Sequence, residues 1–356
     1  MHTSTKWLAA AAYNAIAAAT WKRQRRRARG EYRVFVLTYH DVGADGTERE
    51  GVVAASRFRR HLRYIRRHYR IAALSEATRL LGEPGALRED VVVITLDDGY
   101  AGNYEHAWPV LRGEGVPATI FLTTGFLDGG ELWFDVAARC FDVADRAEID
   151  LTSSILPHWR GDSASWPPPA DRTAVWAWLE RLPPEPREQV LRDMRALCPP
   201  LPPAARPLSW EQVRTLRASG IEIGAHTVSH TVLSVLPRAQ QRQEIEASRD
   251  RISACAGVTP TLFAYPNGTA ADFDAATVAA LYGSGFVAAG TTIRGSNRTG
   301  ADRFRLKRLG VGADSCLVLA ARLGGLFDAG LRVPLGRSAP MRVYGAAGGS
   351  AVGARG

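Results

Sequence analysis

The sequence lacks several features that would assign it to a simple class of protein. Its four cysteines are widely spaced and form no Cys-x-x-Cys pair, which argues against a thiolate zinc site and a dense disulfide framework. No repeat period typical of a solenoid is visible. The alanine-rich stretch 7–20 is too short and too weakly apolar to span a bilayer, and it contains Asn14. We therefore expect a globular protein whose cysteines serve mainly in packing.

Positive charge is concentrated near the start of the chain. The formal net charge is +9, and the run 22–29 contributes six positive charges by itself. Because no basic motif is interleaved with aromatic residues, we predict no nucleic-acid partner. Residues 1–31 are interpreted as a basic arm, either a solvated helix or one that contacts an anionic membrane surface. The cluster follows the apolar stretch, unlike in a signal peptide, so we expect a cytoplasmic protein or one at the cytoplasmic membrane face, with export left open.

Strand-like and helix-like segments alternate over residues 32–330. This alternation predicts a single α/β domain, either a barrel or an open wound sheet. Proline-rich stretches and helical patches over about 142–207 interrupt the alternation and indicate an insertion. The glycine- and alanine-rich residues 331–356 have little with which to build a core, and we expect a flexible tail.

One decapeptide, Val91–Tyr100, combines a buried strand with two carboxylates. Its β-branched apolar run is typical of a strand buried on both faces, usually in a parallel sheet. The run ends in Asp97, Asp98 and Gly99, at the position where α/β folds hold ligand and catalytic groups. Asp-Asp-Gly is also ordinary turn chemistry. The functional interpretation gains weight from similar signals elsewhere in the chain.

Polar residues end or follow other predicted strands. His40 ends the first strand, and His226 and His230 follow the strand at 221–223. Tyr265 ends the strand at 262–265, and Asn267 follows it. In a barrel, the carboxyl ends of the strands share one rim, so we expect these side chains to converge. His226 and His230, four residues apart, would meet on one face of a helical turn.

Two imidazoles and one carboxylate form a common ligand set for a catalytic divalent ion. We expect zinc first, with cobalt, nickel, iron or manganese as alternatives. Consecutive side chains diverge, so one of Asp97 and Asp98 can bind the ion while the other accepts a proton from water. The residues thus predict metal-assisted hydrolysis.

The motifs resemble those of the polysaccharide deacetylases, the NodB-homology family or carbohydrate esterase family 4. Leu-Asp-Asp-Gly-Tyr at 96–100 is similar to the family's Thr-Phe-Asp-Asp-Gly, and His-Thr-Val-Ser-His at 226–230 matches its His-(Ser/Thr)-x-x-His. The resemblance implies a distorted (β/α) barrel that removes N-acetyl, or sometimes O-acetyl, groups from a glycan. It also implies Asp97 as the general base and Asp98, His226 and His230 as the metal ligands.

Two positions depart from that family pattern. Ala264 stands where the third motif usually carries an arginine that orients the base, and no histidine follows His230 to serve as the C-terminal acid. Tyr39-His40 is similar to an N-terminal segment of the branch that deacetylates poly-N-acetylglucosamine. That likeness implies His40 as the general acid; a hydrogen-bonded residue at the strand end is the alternative.

Several further residues are candidates for substrate contact. They offer aromatic faces for pyranose rings or polar groups for the substrate and a developing oxyanion. Core packing or turn formation is an equally simple explanation for some of them. The candidates are Tyr100, Trp133, Asp135, Tyr265 and Asn267.

Three functions remain open at this point. The leading interpretation is a metal-dependent glycan deacetylase. The same residues would also suit an amidohydrolase or esterase acting on a small substrate that is not a glycan. A non-catalytic glycan-binding module is favoured by the missing arginine and the missing C-terminal histidine.

Overall fold

The computed structural model describes residues 20–47, 51–146 and 172–324. Within these ranges the strands are Val34–Tyr39 (β1), Asp41–Gly43 (β2), Val52–Ala54 (β3), Arg70–Ile71 (β4), Val91–Leu96 (β5), Thr119–Leu122 (β6), Glu222–Ala225 (β7), Leu262–Ala264 (β8), Ala288–Gly290 (β9) and Arg308–Gly310 (β10).

Helices connect most of these strands. In the same ranges they are residues 20–28 (α1), Ala55–His68 (α2), Leu74–Gly82 (α3), Trp108–Glu114 (α4), Thr124–Leu127 (α5), Trp133–Arg146 (α6), Arg172–Arg181 (α7), Pro184–Leu197 (α8), Trp210–Ala218 (α9), Arg238–Ala256 (α10), Ala275–Gly283 (α11) and Cys316–Leu323 (α12). A π-helical turn, Asn103–Ala107, precedes α4. No helix in the described part of the chain is both long enough and apolar enough to cross a membrane.

The main sheet is parallel and nearly closes into a barrel. Its strand order is β10-β1-β5-β6-β7-β8-β9, with β4 also paired to β5. A parallel bridge between Gly290 and Leu306 joins the region of β9 to that of β10 and completes the circuit. The predicted α/β class and distorted (β/α) barrel are therefore confirmed.

Strand register sets the level of the site. All six residues of β1 and of β5 are buried, as expected for strands covered on both faces. Tyr39 pairs with Leu96, so the residues that follow, His40 and Asp97, leave the sheet at the same height. Leu122 of β6 pairs with Ala225 of β7, which places His226 at the same rim.

The helices pack apolar faces on this sheet. Phe58, Leu62 and Ile65 of α2 are buried at helical spacing. Ser209 begins α9 with a capping box, in which its hydroxyl accepts from the backbone of Gln212 while the Gln212 side chain accepts from the Ser209 backbone. Propensity, capping and burial agree for these helices.

Other elements lie close to the candidate site residues. Strand β2, directly after His40, pairs in parallel with β3. Trp133 and Asp135, candidates for substrate contact, begin helix α6 and are buried, as the alternative of core packing implies. The predicted insertion contributes α7 and α8, while its residues 147–171, and the predicted tail 331–356, lie outside the described residues. The boundaries proposed for the arm, catalytic domain and tail stay predictions.

Candidate metal centre and active site

The predicted site residues converge at the carboxyl ends of the central strands. Asp97 and Asp98 follow β5, His226 and His230 follow β7, and His40 follows β1. Asp98, His226 and His230 are all buried, and one potential ligand atom from each lies within 4.8 Å of the others. Loops leaving two separate strands, β5 and β7, therefore form one cluster.

The backbone is unusual at this cluster. Among the described residues, the positive-φ positions other than glycine are Asp98, Thr227, His230 and Asn267, with φ of 74°, 67°, 53° and 56°. Such conformations cost free energy for residues that carry a Cβ and often occur at functional sites. They also correct the predicted helical turn at 226–230, because a loop with two left-handed residues brings the imidazoles together instead.

Gly99 allows the sharp turn after the two aspartates. Its φ is 87°, and a Cβ there would lie 2.9 Å from Leu127 Cδ1 and 3.0 Å from Leu122 Cδ2. Glycine is the residue that adopts this conformation without steric cost. The glycine of the Asp-Asp-Gly motif thus lets Asp97 and Asp98 point in different directions above a packed core.

Hydrogen bonding fixes the orientation of the His226 ring. Its Nδ1 lies 2.7 Å from the carbonyl oxygen of Ala264, which can only accept, so Nδ1 carries the hydrogen and Nε2 presents a lone pair. Nε2 is 3.5 Å from Asp98 Oδ1, and His230 Nε2 is 3.3 Å from the same oxygen. A backbone carbonyl behind a ligating histidine is a common way to orient the imidazole toward a metal.

The cluster has the chemistry of a cation site. Both carboxylate oxygens of Asp98 and Nδ1 of His230 are buried without a hydrogen-bond partner among the described residues. An acceptor oxygen that faces an imidazole lone pair, out of contact with water, is unfavourable unless a positive charge lies between them. Two imidazoles and a carboxylate suit a divalent transition metal, so the residues fit the ion that the sequence predicted.

The protonation states are consistent with metal binding. Burial, followed by the charge that His230 carries when protonated, lowers the pKa of His226 to about 4, so this imidazole is neutral at pH 7. Burial alone would raise the pKa of Asp98, but contact with His230 and the charges of His40 and His226 hold it below its usual range. A neutral imidazole and an ionised carboxylate are the forms that bind metal.

An arginine that the sequence analysis missed holds Asp97, the first of the two adjacent aspartates. Arg308 Nη1 donates to Asp97 Oδ1 at 2.9 Å and Nη2 donates to Oδ2 at 2.8 Å, with both side chains almost fully buried. Burial would raise the pKa of Asp97, but the Arg308 guanidinium, together with His226, holds it below its usual range. The arginine expected at position 264 is therefore replaced in space by one from β10, 211 residues beyond Asp97.

Arg308 is itself held by the closing seam of the barrel. Its Nε donates to the carbonyl oxygen of Thr291 at 2.8 Å, just after β9. Gly290 lies against the same side chain, since a Cβ at that position would be 2.9 Å from Arg308 Cδ. A rigid two-point fork of this kind fixes both the position and the charge of the carboxylate it binds.

His40 lies near both aspartates from the side of β1. Its charge contributes to lowering the pKa of Asp97 and of Asp98, after the larger effects of burial, Arg308 and His230. Its backbone carbonyl accepts from Asn103 Nδ2 at 2.8 Å, which anchors the residue, and its side chain is half-buried. The imidazole is thus placed beside the pair of carboxylates while still reachable from solvent.

Three of the predicted substrate residues are buried behind the site. The Tyr100 hydroxyl lies 3.4 Å from both carboxylate oxygens of Asp135, which itself is in α6. Trp133 Nε1 donates to the carbonyl oxygen of His230 at 3.2 Å. These contacts favour a supporting role, in which Trp133 fixes the strained backbone at His230, over direct stacking on a sugar.

Two candidates from the third motif differ in position: Tyr265 lies in the core and Asn267 at the rim of the barrel. Tyr265 has both donors satisfied, since its amide donates to Gly290 and its hydroxyl to Phe304, which leaves none for an oxyanion. Asn267 is half-buried, and its Nδ2 donates to Glu180 of α7. Asn267 therefore remains the candidate for substrate contact from this motif.

The predicted insertion packs directly on the loop that carries His226 and His230. Arg187 of α8 donates to the Thr231 hydroxyl at 2.7 Å and lies over the Trp133 ring, 4.8 Å from its centroid. Burial, and then the neighbouring carboxylate of Asp272, raises the pKa of Glu180. The helices of the predicted insertion are thus part of the wall of the site.

Comparison with known proteins identifies the family. The family model for polysaccharide deacetylase matches residues 85–287, more than half of the chain. YxkH of Bacillus subtilis (strain 168), named as a polysaccharide deacetylase, is 34% identical over 88 residues, which cover 24% of this chain and 30% of that relative. The aligned part is thus less than a third of the relative's length.

Solved structures share the fold. The Streptococcus pyogenes deacetylase PplD, solved in complex with acetate, is 17% identical, with a TM-score of 0.56 over 82% of this chain and 99% of that one. IcaB from Ammonifex degensii is 21% identical, with a TM-score of 0.56 over 82% of this chain and 97% of that one. By its family match and the fold that it shares with these structures, the chain belongs to the polysaccharide deacetylase family.

Replacing Asp98 should remove the metal site while leaving the fold in place. We expect Asp98→Asn to weaken binding of a divalent ion by more than the roughly 10–100-fold that follows loss of an outer-shell partner, because a charged ligand is lost. Metal content after dialysis and a competition titration with a chelator measure the effect. His106→Gln, a histidine outside both motifs, is the control; equal metal affinity in the Asp98 variant and the unchanged chain would contradict the assignment.

Removing Arg308 should change the proton affinity of Asp97. In Arg308→Met the pKa of Asp97 rises because its positive partner is gone, so the acid limb of the rate profile should move to higher pH. The rate should also fall by about 10–100-fold as the carboxylate loses its orientation. The pH dependence of hydrolysis reports both effects, with Arg305→Met as the exposed control. A lower rate with an unmoved acid limb would show a purely structural role.

Proposed function

We propose that this chain is a metal-dependent deacetylase that removes N-acetyl, or O-acetyl, groups from a polysaccharide or oligosaccharide. Asp98, His226 and His230 hold one divalent ion, zinc first among the candidates. Asp97 is the general base and His40 the general acid. The glycan specificity and the metal requirement are part of this proposal.

The observation that supports it best is the contrast between two neighbouring aspartates. Asp98 faces two imidazole nitrogens and accepts no hydrogen bond from a described residue. Asp97, in contrast, accepts from both terminal nitrogens of the Arg308 guanidinium. One carboxylate is thus suited to a metal and the other to a proton. A hydrolase of this class requires that division of labour.

The chain's own residues can complete the proton transfers of amide hydrolysis. When bound, a divalent ion would polarise the acyl carbonyl and lower the pKa of a water molecule. Asp97 takes one proton from the attacking water, using a lone pair not engaged by Arg308, since each carboxylate oxygen has two. As the new C–O bond forms and the C–N bond breaks, His40 donates a proton to the departing nitrogen, giving acetate and a free amine.

The rim near Asn267 supports a carbohydrate substrate. Asn267 and Glu180 form a hydrogen-bonded pair of polar side chains that remain partly exposed beside the buried ligands. Amide and carboxylate groups on a half-open rim suit the hydroxyl groups of a sugar ring. The aromatic residues behind them maintain the shape of the rim.

The two alternative functions are less well supported. A non-catalytic glycan-binding module was motivated by the missing base-orienting arginine and the missing C-terminal histidine. Arg308 supplies a two-point contact to Asp97, and His40 is the proposed acid. A small-substrate amidohydrolase or esterase would use the same centre, so only the choice of substrate separates it from a glycan deacetylase.

Acetate release from N-acetylglucosamine oligomers tests the proposal. The purified chain should release acetate, lose activity after chelation and regain it when zinc, cobalt, nickel, iron or manganese is added back. Asp97→Asn should bind the ion but lose turnover, since the base is gone while the three ligands remain. A thermal scan of this variant checks that the unpaired Arg308 has not unfolded it.

The other outcomes identify the alternatives. Turnover of small acetamides and acetate esters, with none of glycans, would favour the small-substrate hydrolase. A bound metal ion without turnover on any of these substrates would favour a binding module.

The acid role of His40 predicts a dependence on the leaving group. His40→Gln should slow release of acetate from an N-acetyl sugar by roughly 10²–10⁴-fold, because an amine cannot leave without a proton. Hydrolysis of an aryl acetate, whose phenolate leaves unaided, should slow far less. Parallel rates on the two substrates, with His106→Gln as control, measure this difference; an equal loss on both would contradict the assignment.

A further inference from the structure

The basic arm is docked on the barrel. In α1, Arg23 Nε donates to Asp90 Oδ2 at 3.0 Å, and the Arg23 guanidinium lies over the Tyr69 ring, 3.9 Å from its centroid. Arg26 Nη2 is 3.9 Å from the same oxygen, Oδ2, of the buried Asp90 carboxylate. Buried charges of this kind require a partner, so the contact fixes α1 in place. Residues 20–28 are therefore part of the folded surface, not a freely solvated helix.

This contact lies at the end of the barrel opposite the candidate active site. Asp90 directly precedes β5 and Asp97 directly follows it. At about 3.3 Å per residue, the strand separates the two by roughly 20 Å. A ligand at one end would leave the other end accessible.

A cavity of about 290 Å³ lies between α1, the end of α2 and β4. Five arginines line it against two carboxylates, those of Glu89 and Asp90. Some of these cations are already paired, Arg66 with Glu114 and Arg70 with Glu76. The five are Arg23, Arg27, Arg66, Arg67 and Arg70.

Arg27 and Arg67 carry the excess charge of the cavity. Both are exposed, and neither forms an ion pair with a described residue. Both line the same cavity, and guanidinium groups suit a phosphoryl group because its oxygens accept their paired N–H donors. The cavity is thus suited to a phosphate monoester or diester.

A wider basic surface surrounds the cavity. The outer face of α2 has arginines at three- and four-residue spacing, which places them on one side of the helix. Trp21 of α1 is 56% exposed and stacks with Arg25, whose guanidinium carbon is 4.7 Å from the ring centroid. The exposed arginines of α2 are Arg59, Arg60, Arg63, Arg66 and Arg67.

We propose that this basic surface binds an anionic membrane, with the phosphoryl group of a lipid headgroup in the arginine cavity. An exposed tryptophan beside polybasic helices is typical of membrane interfaces, where the indole sits at the headgroup level. A soluble polyanion without aromatic rings, such as polyglutamate, offers no apolar layer in which Trp21 could be buried.

Binding in this orientation would direct the active-site rim away from the bilayer. The deacetylase centre would then face polymer on the far side of the barrel from the lipid. This inference does not depend on the proposed catalytic function, because none of its residues belongs to the site of Asp97 and Asp98.

Co-flotation of the full chain with lipid vesicles tests the inference. The chain should float with vesicles of phosphatidylcholine and phosphatidylglycerol, but not with phosphatidylcholine alone, and added salt should release it. The double variant Arg27→Gln/Arg67→Gln should bind on the order of tenfold or more weakly. Its matched control, Arg238→Gln/Arg242→Gln, removes the same charge from exposed positions of α10 and should bind like the unchanged chain.

A further variant separates a membrane from a soluble polyanion. Trp21→Ala should weaken binding to the anionic vesicles but leave any binding to polyglutamate unchanged. Three outcomes would each overturn the membrane assignment. The first is absence of flotation with anionic vesicles, and the second is an equal loss of binding in the two double variants. The third is binding of inorganic phosphate by the arginines without binding of vesicles. Circular dichroism and metal content should be the same for all variants, since the altered side chains are exposed.

Discussion

Two consecutive carboxylates are buried at the end of one strand, and each needs a positive partner. Asp97 and Asp98 are 2% and 1% exposed, and an uncompensated charge in such surroundings would cost several kcal/mol. Arg308 supplies the partner for Asp97 from within the protein. Asp98 instead faces His226 and His230, the two imidazoles with which it would hold a divalent ion. The loops and helices around the rim place these partners beside the two carboxylates.

The sequence predicted the positions of the functional residues better than it predicted their contacts. Buried apolar strands are visible as β-branched runs, and polar residues directly after them have to lie at one rim of a parallel barrel. For that reason Asp97, Asp98 and the two histidines could be placed together. The histidine pair was nevertheless assigned to a helical turn, because spacing alone does not reveal left-handed residues such as Thr227 and His230.

Arg308 was beyond prediction from the sequence for a physical reason. It lies in a short strand, 211 residues from its partner, and follows Lys307, so nothing local distinguishes the buried cation from the exposed one. Only closure of the sheet, which brings β10 beside β1, makes the two neighbours. The burial of Trp133 was also hidden, because an aromatic residue near a site satisfies the pattern of a sugar platform and that of a core helix equally well.

The seam of the barrel links completion of the fold to readiness for proton transfer. Arg308 donates to Thr291 and Asp97 together, and Gly290 leaves the narrow space through which its side chain passes. If β9 and β10 were separated, the proposed metal ligands, which follow other strands, would still lie together, but Asp97 would lose the arginine that fixes its orientation. Closure of the seam therefore couples the shape of the barrel to the orientation of the proposed base.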